Sequence, residues 1–205
     1  MKMICVGRNY RAHAAELGNE VPSEPLFFLK PDSALLLHRH PFYIPDFTQS
    51  VHYEAEVVVR ISRLGKAIAP AHALRYCDAV TLGIDFTARD VQDRCKAAGN
   101  PWEPAKAFDG SAVVSREWIP IVELPGGLSD LHFSLEKNGA VVQQGHTADW
   151  IFSIEQVIAH VSRYMTLKVG DLIFTGTPAG VGPVKEGDVL TGYIGDRRMF
   201  EVHVA

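Results

Sequence analysis

Residues 52–61 read HYEAEVVVRI. Val57, Val58 and Val59 make a continuous β-branched run, and such runs mark a strand covered on both faces. Two acids head this strand. Alternation along a strand puts Glu54 and Glu56 on one side and Ala55 and Val57 on the other. An isolated Glu-x-Glu is commonly a solvent-facing edge, but the valines that follow argue against an exposed position. Two partly buried, unpaired carboxylates repel by about 4 kcal/mol at roughly 4 Å with an effective dielectric near 20. Either their pKa values rise or a cation sits between them.

A third acid is available. AVTLGID is strand-like and ends in Asp85, directly before the helical pattern of TARDVQDRCKAAG. Spacing alone does not bring Asp85 to the two glutamates. If it meets them, three carboxylates would suit a hard, oxygen-loving ion, Mg²⁺ or Mn²⁺, that keeps waters for a substrate to displace.

The rest of the chain sets the fold class. MICVG, PLFFLK, HFSLEKNG, LIFTG and VLTGYIG are further short β-rich runs bounded by Gly, Pro, Asp or Asn. LEKNGAVVQ carries an Asn-Gly step between two such runs, a hairpin signal. Helical patterns are fewer. NYRAHAAELG and TARDVQDRCKAAG each end at a Gly. In SIEQVIAHVSRYM, Ile154, Val157, Ile158 and Val161 recur at helical spacing behind Ser153 as N-cap. Strands outnumber helices without alternating with them, which argues against a doubly wound α/β fold. We expect a β-rich α+β fold with a rolled or sandwiched sheet. With 205 residues, 47% of them hydrophobic, and no linker-like stretch, the chain reads as a single domain, 1–205.

Composition also excludes partners. The net charge is -4 and no basic block appears, so neither nucleic acid nor an anionic membrane is expected. No signal-peptide h-region opens the chain, and no apolar run approaches the roughly 18 residues that span a bilayer. Cys5, Cys77 and Cys95 are odd in number and form no CxxC pair. They read as small apolar side chains rather than a disulfide framework or a nucleophile, and a reducing, cytoplasmic setting fits them.

Six ordered blocks, VGRNYRAHAAELG, EPLFFLKP, HYEAE, GIDFTARDVQD, PWEPAKAFDGS and FTGTPAGVGPV, resemble the fumarylacetoacetate hydrolase family, in particular its small acylpyruvase/oxaloacetate decarboxylase branch. The resemblance covers nearly the whole chain. It implies a mixed β-roll, a homodimer, and one Mg²⁺ or Mn²⁺ held by Glu54, Glu56 and Asp85. By the same resemblance His13, Glu16, Lys106 and Gln92 carry chemistry, Thr177 touches the substrate carboxylate, and Arg8 is a further substrate-binding candidate. Tyr53 stands where many relatives have His and should point away from the metal. Trp150 stands where Met is frequent, which would alter the pocket wall.

The implied substrates are small 2-oxo acids with a second carbonyl further along. Splitting their C–C bond leaves a carbanion, which needs an enolate to spread its charge; a chelated Mg²⁺ stabilises it as a Lewis acid. Lys106, between Ala105 and Ala107, can add positive charge where the oxygen turns negative. His13 and Glu16 share a helix face, so the carboxylate can orient the imidazole as a water-activating base. This short segment, residues 8 to 20, could close as a lid over substrate. We therefore expect first an acylpyruvate hydrolase, acting on acetylpyruvate or fumarylpyruvate. The same enolate serves an oxaloacetate decarboxylase or keto–enol tautomerase. A decarboxylase or isomerase of aromatic meta-cleavage products is a more distant alternative. A non-catalytic oxo-acid-binding protein would not need the histidine, glutamate and lysine.

Other motifs are weaker. GTPAGVG lacks the Lys-Ser/Thr ending of a phosphate loop. It reads as a tight loop offering backbone N–H groups and Thr177 to an anion. No Gly-x-Ser-x-Gly elbow is present. His38, His40, His52, His72, His132, His146, His160 and His203 lack HxxxH or HExxH spacing. They read as structural or exposed, with His52 a candidate neighbour of the metal. Arg8, Arg89 and Trp150 are the candidates for shaping specificity.

Overall fold

The computed structural model describes residues 1–18 and 20–205. The first half of the chain runs β1 (Met3–Gly7), α1 (Arg11–Glu16), β2 (Leu26–Lys30), β3 (Val51–Tyr53), β4 (Ala55–Ile61), β5 (Cys77–Asp85) and β6 (Thr87–Ala88). Two helices follow, α2 (Arg89–Ala98) and α3 (Glu103–Lys106), then β7 (Ala112–Val114) and β8 (Ile119–Pro120). The second half runs β9 (His132–Lys137), β10 (Ala140–His146), α4 (Ile154–Tyr164), β11 (Leu172–Phe174), β12 (Gly182–Pro183), β13 (Val189–Ile194) and β14 (Arg197–His203). Single turns of 3-10 helix link several of these.

The main sheet has the order β2-β1-β11-β4-β5-β7, with β8 also on β5. It is mixed, because β1 runs parallel to β11 while the other pairs are antiparallel. A four-stranded sheet, β10-β9-β13-β14, and a small one, β12-β3-β6, complete a curled, mostly β architecture. The fold is the expected β-rich α+β roll. Asn138 and Gly139, both at positive φ, turn β9 into β10. Positive φ at both central residues is the tight hairpin geometry that Asn-Gly favours. Ser153 caps α4 in a reciprocal bond with Gln156, and Gly99 ends α2 in the left-handed conformation.

β4 is buried on both sides, as its valines require. Ala55, Val57, Val59 and Ile61 enter the large core with α4, while Val58 belongs to a smaller core with Met3, Cys5, Ala34, Ala112, Leu172 and Phe174. Glu56 shares the face of Val58, so the acids stand at one end of the smaller core. All three cysteines are free and buried. Among the described residues no helix is long and apolar enough to cross a membrane.

Candidate active site

The three acids meet because of strand register. Glu56 lies opposite Gly83, and Val58 opposite Thr81, across β4 and β5. Two residues further on, the Asp85 N–H donates to the Glu54 carbonyl at 2.8 Å. Glu54, Glu56 and Asp85 thus occupy one face of two neighbouring strands. One oxygen from each lies within 4.8 Å of the others, and all three residues are buried. Gly83, opposite Glu56 in register, packs tightly against β7: a Cβ there would come within 2.4 Å of the Val113 carbonyl oxygen.

Lys106 closes the cluster. Its Nζ donates to Glu54 Oε2 at 2.7 Å, Asp85 Oδ2 at 2.8 Å and Thr87 Oγ1 at 2.6 Å. Burial opposes its charge, but Asp85 and Glu54 outweigh burial and hold the ammonium above its ordinary range. On Glu54, burial is likewise outweighed, by Lys106 and Arg89, and the carboxyl is held well below its ordinary range. Glu56 goes the other way. Burial, then the charges of Asp85 and Glu54, push it well above the usual carboxylate range. It accepts one backbone bond, from Gly176 N at 2.8 Å.

Lys30, which the sequence did not single out, and Arg89, expected only to shape specificity, complete the charge pattern. Lys30 is fully buried at the end of β2, with Nζ 2.7 Å from Asp85 Oδ1. That contact is an ion pair without hydrogen-bond alignment; the three ammonium hydrogens go to the Phe86 carbonyl, the Ser111 carbonyl and Ser111 Oγ. Arg89, first residue of α2, pairs with Glu54 Oε1 and donates to Gln92 Oε1 at 2.7 Å. Gln92 is therefore tied to the ligand set through Arg89. A lysine ending the apolar run FFLK was the available sign for Lys30, and an arginine three before Gln92 was the sign for Arg89.

His13 reaches the same cleft from α1. Its Nδ1 lies 3.2 Å from Glu16 Oε2, and Glu16 Oε1 accepts from Gly180 N at 3.0 Å. Burial lowers the His13 pKa despite the raising effect of Glu54 and Glu16, so the imidazole is neutral at neutral pH. A neutral ring donating from Nδ1 to Glu16 leaves Nε2 as acceptor. Asn19, part of the segment expected to close as a lid, lies outside the described residues.

The loop after β11 engages two of its N–H groups within the fold. Its N–H groups at Gly176 and Gly180 are taken by the protein's own anions, Glu56 and Glu16. A Cβ on Gly176, at φ +96°, would also strike Asn9 Cβ at 2.7 Å. Thr177 Oγ1 accepts from Gln143 Nε2 at 2.8 Å, which leaves its own hydroxyl hydrogen to donate. Gln143 also accepts from Ala55 N at 2.9 Å and donates to the Pro178 carbonyl at 3.0 Å, so it fastens the loop to the ligand strand. Nothing in VVQQG marked it in advance.

Arg8, His13, Glu54, Glu56, Asp85, Gln92, Lys106 and Thr177 all line one cleft, with Arg89, Lys96 and Trp102 among its walls. Arg8 sits there with its backbone at φ +59°, a left-handed conformation rare for this residue type. The free volume is about 30 Å³, room for about two waters. Trp150 does not line the cleft; it bridges Tyr10 and packs on the large core, so Trp102 is the tryptophan of the wall. Tyr53 lies in the large core, away from the acids, as expected. His52 is half-buried near Arg89 and Glu54, with Nδ1 unpartnered.

A mixed β-roll thus presents three buried carboxylates, a lysine and a helix-borne histidine in one cleft, a donor set suited to a divalent cation. Similarity places it. The model of the fumarylacetoacetate (FAA) hydrolase C-terminal domain matches residues 2–204, and the chain belongs to that family. It is 45% identical over 190 residues to the oxaloacetate tautomerase YcgM of Escherichia coli (strain K12), covering 93% of this chain and 86% of that one. It is 44% identical over 188 residues to the mitochondrial oxaloacetate tautomerase FAHD1 of Homo sapiens, covering 92% and 84%. Among solved structures, the fumarylpyruvate hydrolase of Pseudomonas aeruginosa in complex with Mn²⁺ and pyruvate superposes with a TM-score of 0.92 at 35% identity, covering 100% of this chain and 89% of that one.

Proposed function

We propose that this protein interconverts the keto and enol forms of oxaloacetate, with Mg²⁺ or Mn²⁺ held by Glu54, Glu56 and Asp85. The observation that carries the substrate is the pair of oxaloacetate tautomerases at 44–45% identity over more than nine-tenths of the chain. The sequence alone pointed first to acylpyruvate hydrolysis, and these relatives shift the reading to its alternative. The fumarylpyruvate hydrolase is less similar, at 35%.

The donor set fits the ion. Three carboxylates and no nitrogen or sulfur suit Mg²⁺ or Mn²⁺. Burial first, and then the neighbouring charges of Asp85 and Glu54, hold the Glu56 carboxyl well above its ordinary range, so a cation beside it would favour its ionised form. When bound, the ion would act as a Lewis acid toward the 2-oxo oxygen of the substrate. The protein's own side chains would do the rest. Arg8, Arg89, Lys96 and Lys106 line the cleft beside the three carboxylates, and Lys30 pairs with Asp85 from within the fold, so cations outnumber carboxylates before any metal. That favours a small dianion such as oxaloacetate. The Thr177 hydroxyl can donate to a substrate carboxylate. Neutral His13, oriented by Glu16, can take the proton from C3 and deliver it to the enolate oxygen at C2, the reverse transfer carrying enol to keto. Lys106 places positive charge beside the oxygen that becomes anionic. Tautomerisation consumes no water, so His13 moves a substrate proton here rather than activating a nucleophile.

The homodimer implied by the family resemblance belongs to this reading, as does a cytoplasmic setting, although the human relative is named mitochondrial. The decisive test offers oxaloacetate, acetylpyruvate and fumarylpyruvate in parallel, with Mg²⁺ and then with chelator. Enol absorbance reports tautomerisation, and product pyruvate reports decarboxylation or hydrolysis. We expect metal-dependent loss of the enol signal faster than any pyruvate release. Faster pyruvate release from an acylpyruvate would restore the hydrolase, faster release from oxaloacetate the decarboxylase, and no turnover of anything would favour a binding protein.

A further inference from the structure

We propose a second metal site, of a different chemical class, formed by Asp130, His132 and His146 at the open end of the β9–β10 hairpin. Each offers one donor atom, and the three donors lie within 4.8 Å of one another. His146 Nε2 is 2.9 Å from Asp130 Oδ1, and the two imidazoles stack with centroids 3.9 Å apart and planes 13° from parallel.

The backbone holds these donors in place. His132 and His146 are directly opposed across the antiparallel pair, so they project from the same face. The next pair, Phe133 and Gly145, faces the other way. Phe133 is buried there, with its ring so close over Gly145 that a Cβ would meet it at 2.3 Å. This packing fixes the register and turns both histidines outward. Asp130 is anchored too. Its successor Leu131 exchanges bonds with Thr147, Leu131 N donating to Thr147 Oγ1 at 2.8 Å and Thr147 N to the Leu131 carbonyl at 3.0 Å. Asp130 itself folds over Gly126, where a Cβ would fall 2.4 Å from its Oδ2.

The recess holding the two histidines is also lined by Asp149 and Asp196 and, among the described residues, by no lysine or arginine. Two imidazole nitrogens and a carboxylate suit a borderline ion such as Zn²⁺, Co²⁺ or Ni²⁺ rather than Mg²⁺. Stacked rings cannot both be protonated without repulsion, and turning either ring about its χ2 would bring its nitrogen onto a cation shared with the other. The site is distinct from the carboxylate cluster in residues and in donor type, and it rests on no assignment of activity.

Zn²⁺ is the probe. With Mg²⁺ in excess to occupy the carboxylates, titration calorimetry on the whole chain should show one equivalent of Zn²⁺ taken up, with a rise in the thermal midpoint. A variant carrying both His132→Ala and His146→Ala should lose that equivalent and that rise while keeping its zinc-free midpoint. Asp130→Asn should weaken uptake without removing it. Absence of zinc uptake by the Mg²⁺-loaded wild type, or unchanged uptake by the double variant, would overturn the proposal.

Discussion

Lys30 Nζ lies 2.7 Å from Asp85 Oδ1, against the carboxylate oxygen that Lys106 leaves free. The two residues are the most deeply buried ion pair of the site, at 0% and 1% exposure of their side chains. A charge buried this far and then left without its partner is costly. Lys30→Met should destabilise the protein by about 3–5 kcal/mol. Urea unfolding of the metal-free variant checks this, and an unchanged midpoint would show that Lys106 alone carries Asp85.

Glu56 should trade a proton for the metal. In the metal-free fold its pKa is raised, chiefly by burial, so the folded state binds a proton that the unfolded chain releases near the ordinary 4.5. Between that value and the raised one, the contribution of Glu56 to stability falls as pH rises. Excess Mg²⁺ should abolish this slope, and calorimetry in buffers of different ionisation enthalpy should register proton release on metal binding. Glu56→Gln mimics the protonated form. It should keep the metal-free stability yet lose metal affinity by more than the roughly 10–100-fold that an outer-shell change costs.

His13 is neutral because burial lowers its pKa from 6.5, and Glu16 partly opposes that shift. The acid limb of the rate profile should therefore fall below pH 6.5. Glu16→Gln removes a raising influence, so the limb should move to still lower pH while turnover drops. His13→Ala should cost about 100- to 10,000-fold in turnover, the usual worth of a positioned base. If decarboxylation of oxaloacetate fell by the same factor as tautomerisation, His13 would have a role beyond the proton at C3.

Gly83 lets β5 lie close against β7, Val58 and Phe174 by having no side chain. Gly83→Ala would set a Cβ 2.4 Å from the Val113 carbonyl oxygen, a backbone atom that cannot turn aside. We expect a loss of about 1–3 kcal/mol from overpacking. Metal affinity should fall with it, because separating β5 from β7 moves Asp85. Retention of both stability and affinity would show that the strands slide apart freely.

Local rules carried some of this and not the rest. That Glu54 and Glu56 share a face follows from alternation, and the turn at Asn138-Gly139 and the cap at Ser153 follow from local chemistry. Asp85 joins them only through the register of β4 on β5, a pairing between distant segments that no spacing rule supplies; the family resemblance supplied it. Lys30, Arg89 and Gln143 were harder still. Each is an ordinary polar residue on its own element, and its role exists only where another element approaches. The loop at residues 176–182 was read as offering N–H groups and Thr177 to an anion; two of its N–H groups, at Gly176 and Gly180, are engaged by Glu56 and Glu16 across the fold, which no local rule foretold.

The parallel pairing of β1 with β11 sets Met3 beside Leu172, so the opening and closing parts of the chain meet in the middle of the main sheet. Non-local pairings of this kind slow folding, since a long loop must close before any contact rewards it. The cluster at Glu54, Glu56 and Asp85 takes its last backbone donor from Gly176, just beyond β11. A chain emerging from the ribosome therefore holds all three acids long before it can complete their surroundings, and capture of the cation becomes a late event that reports arrival at the finished fold.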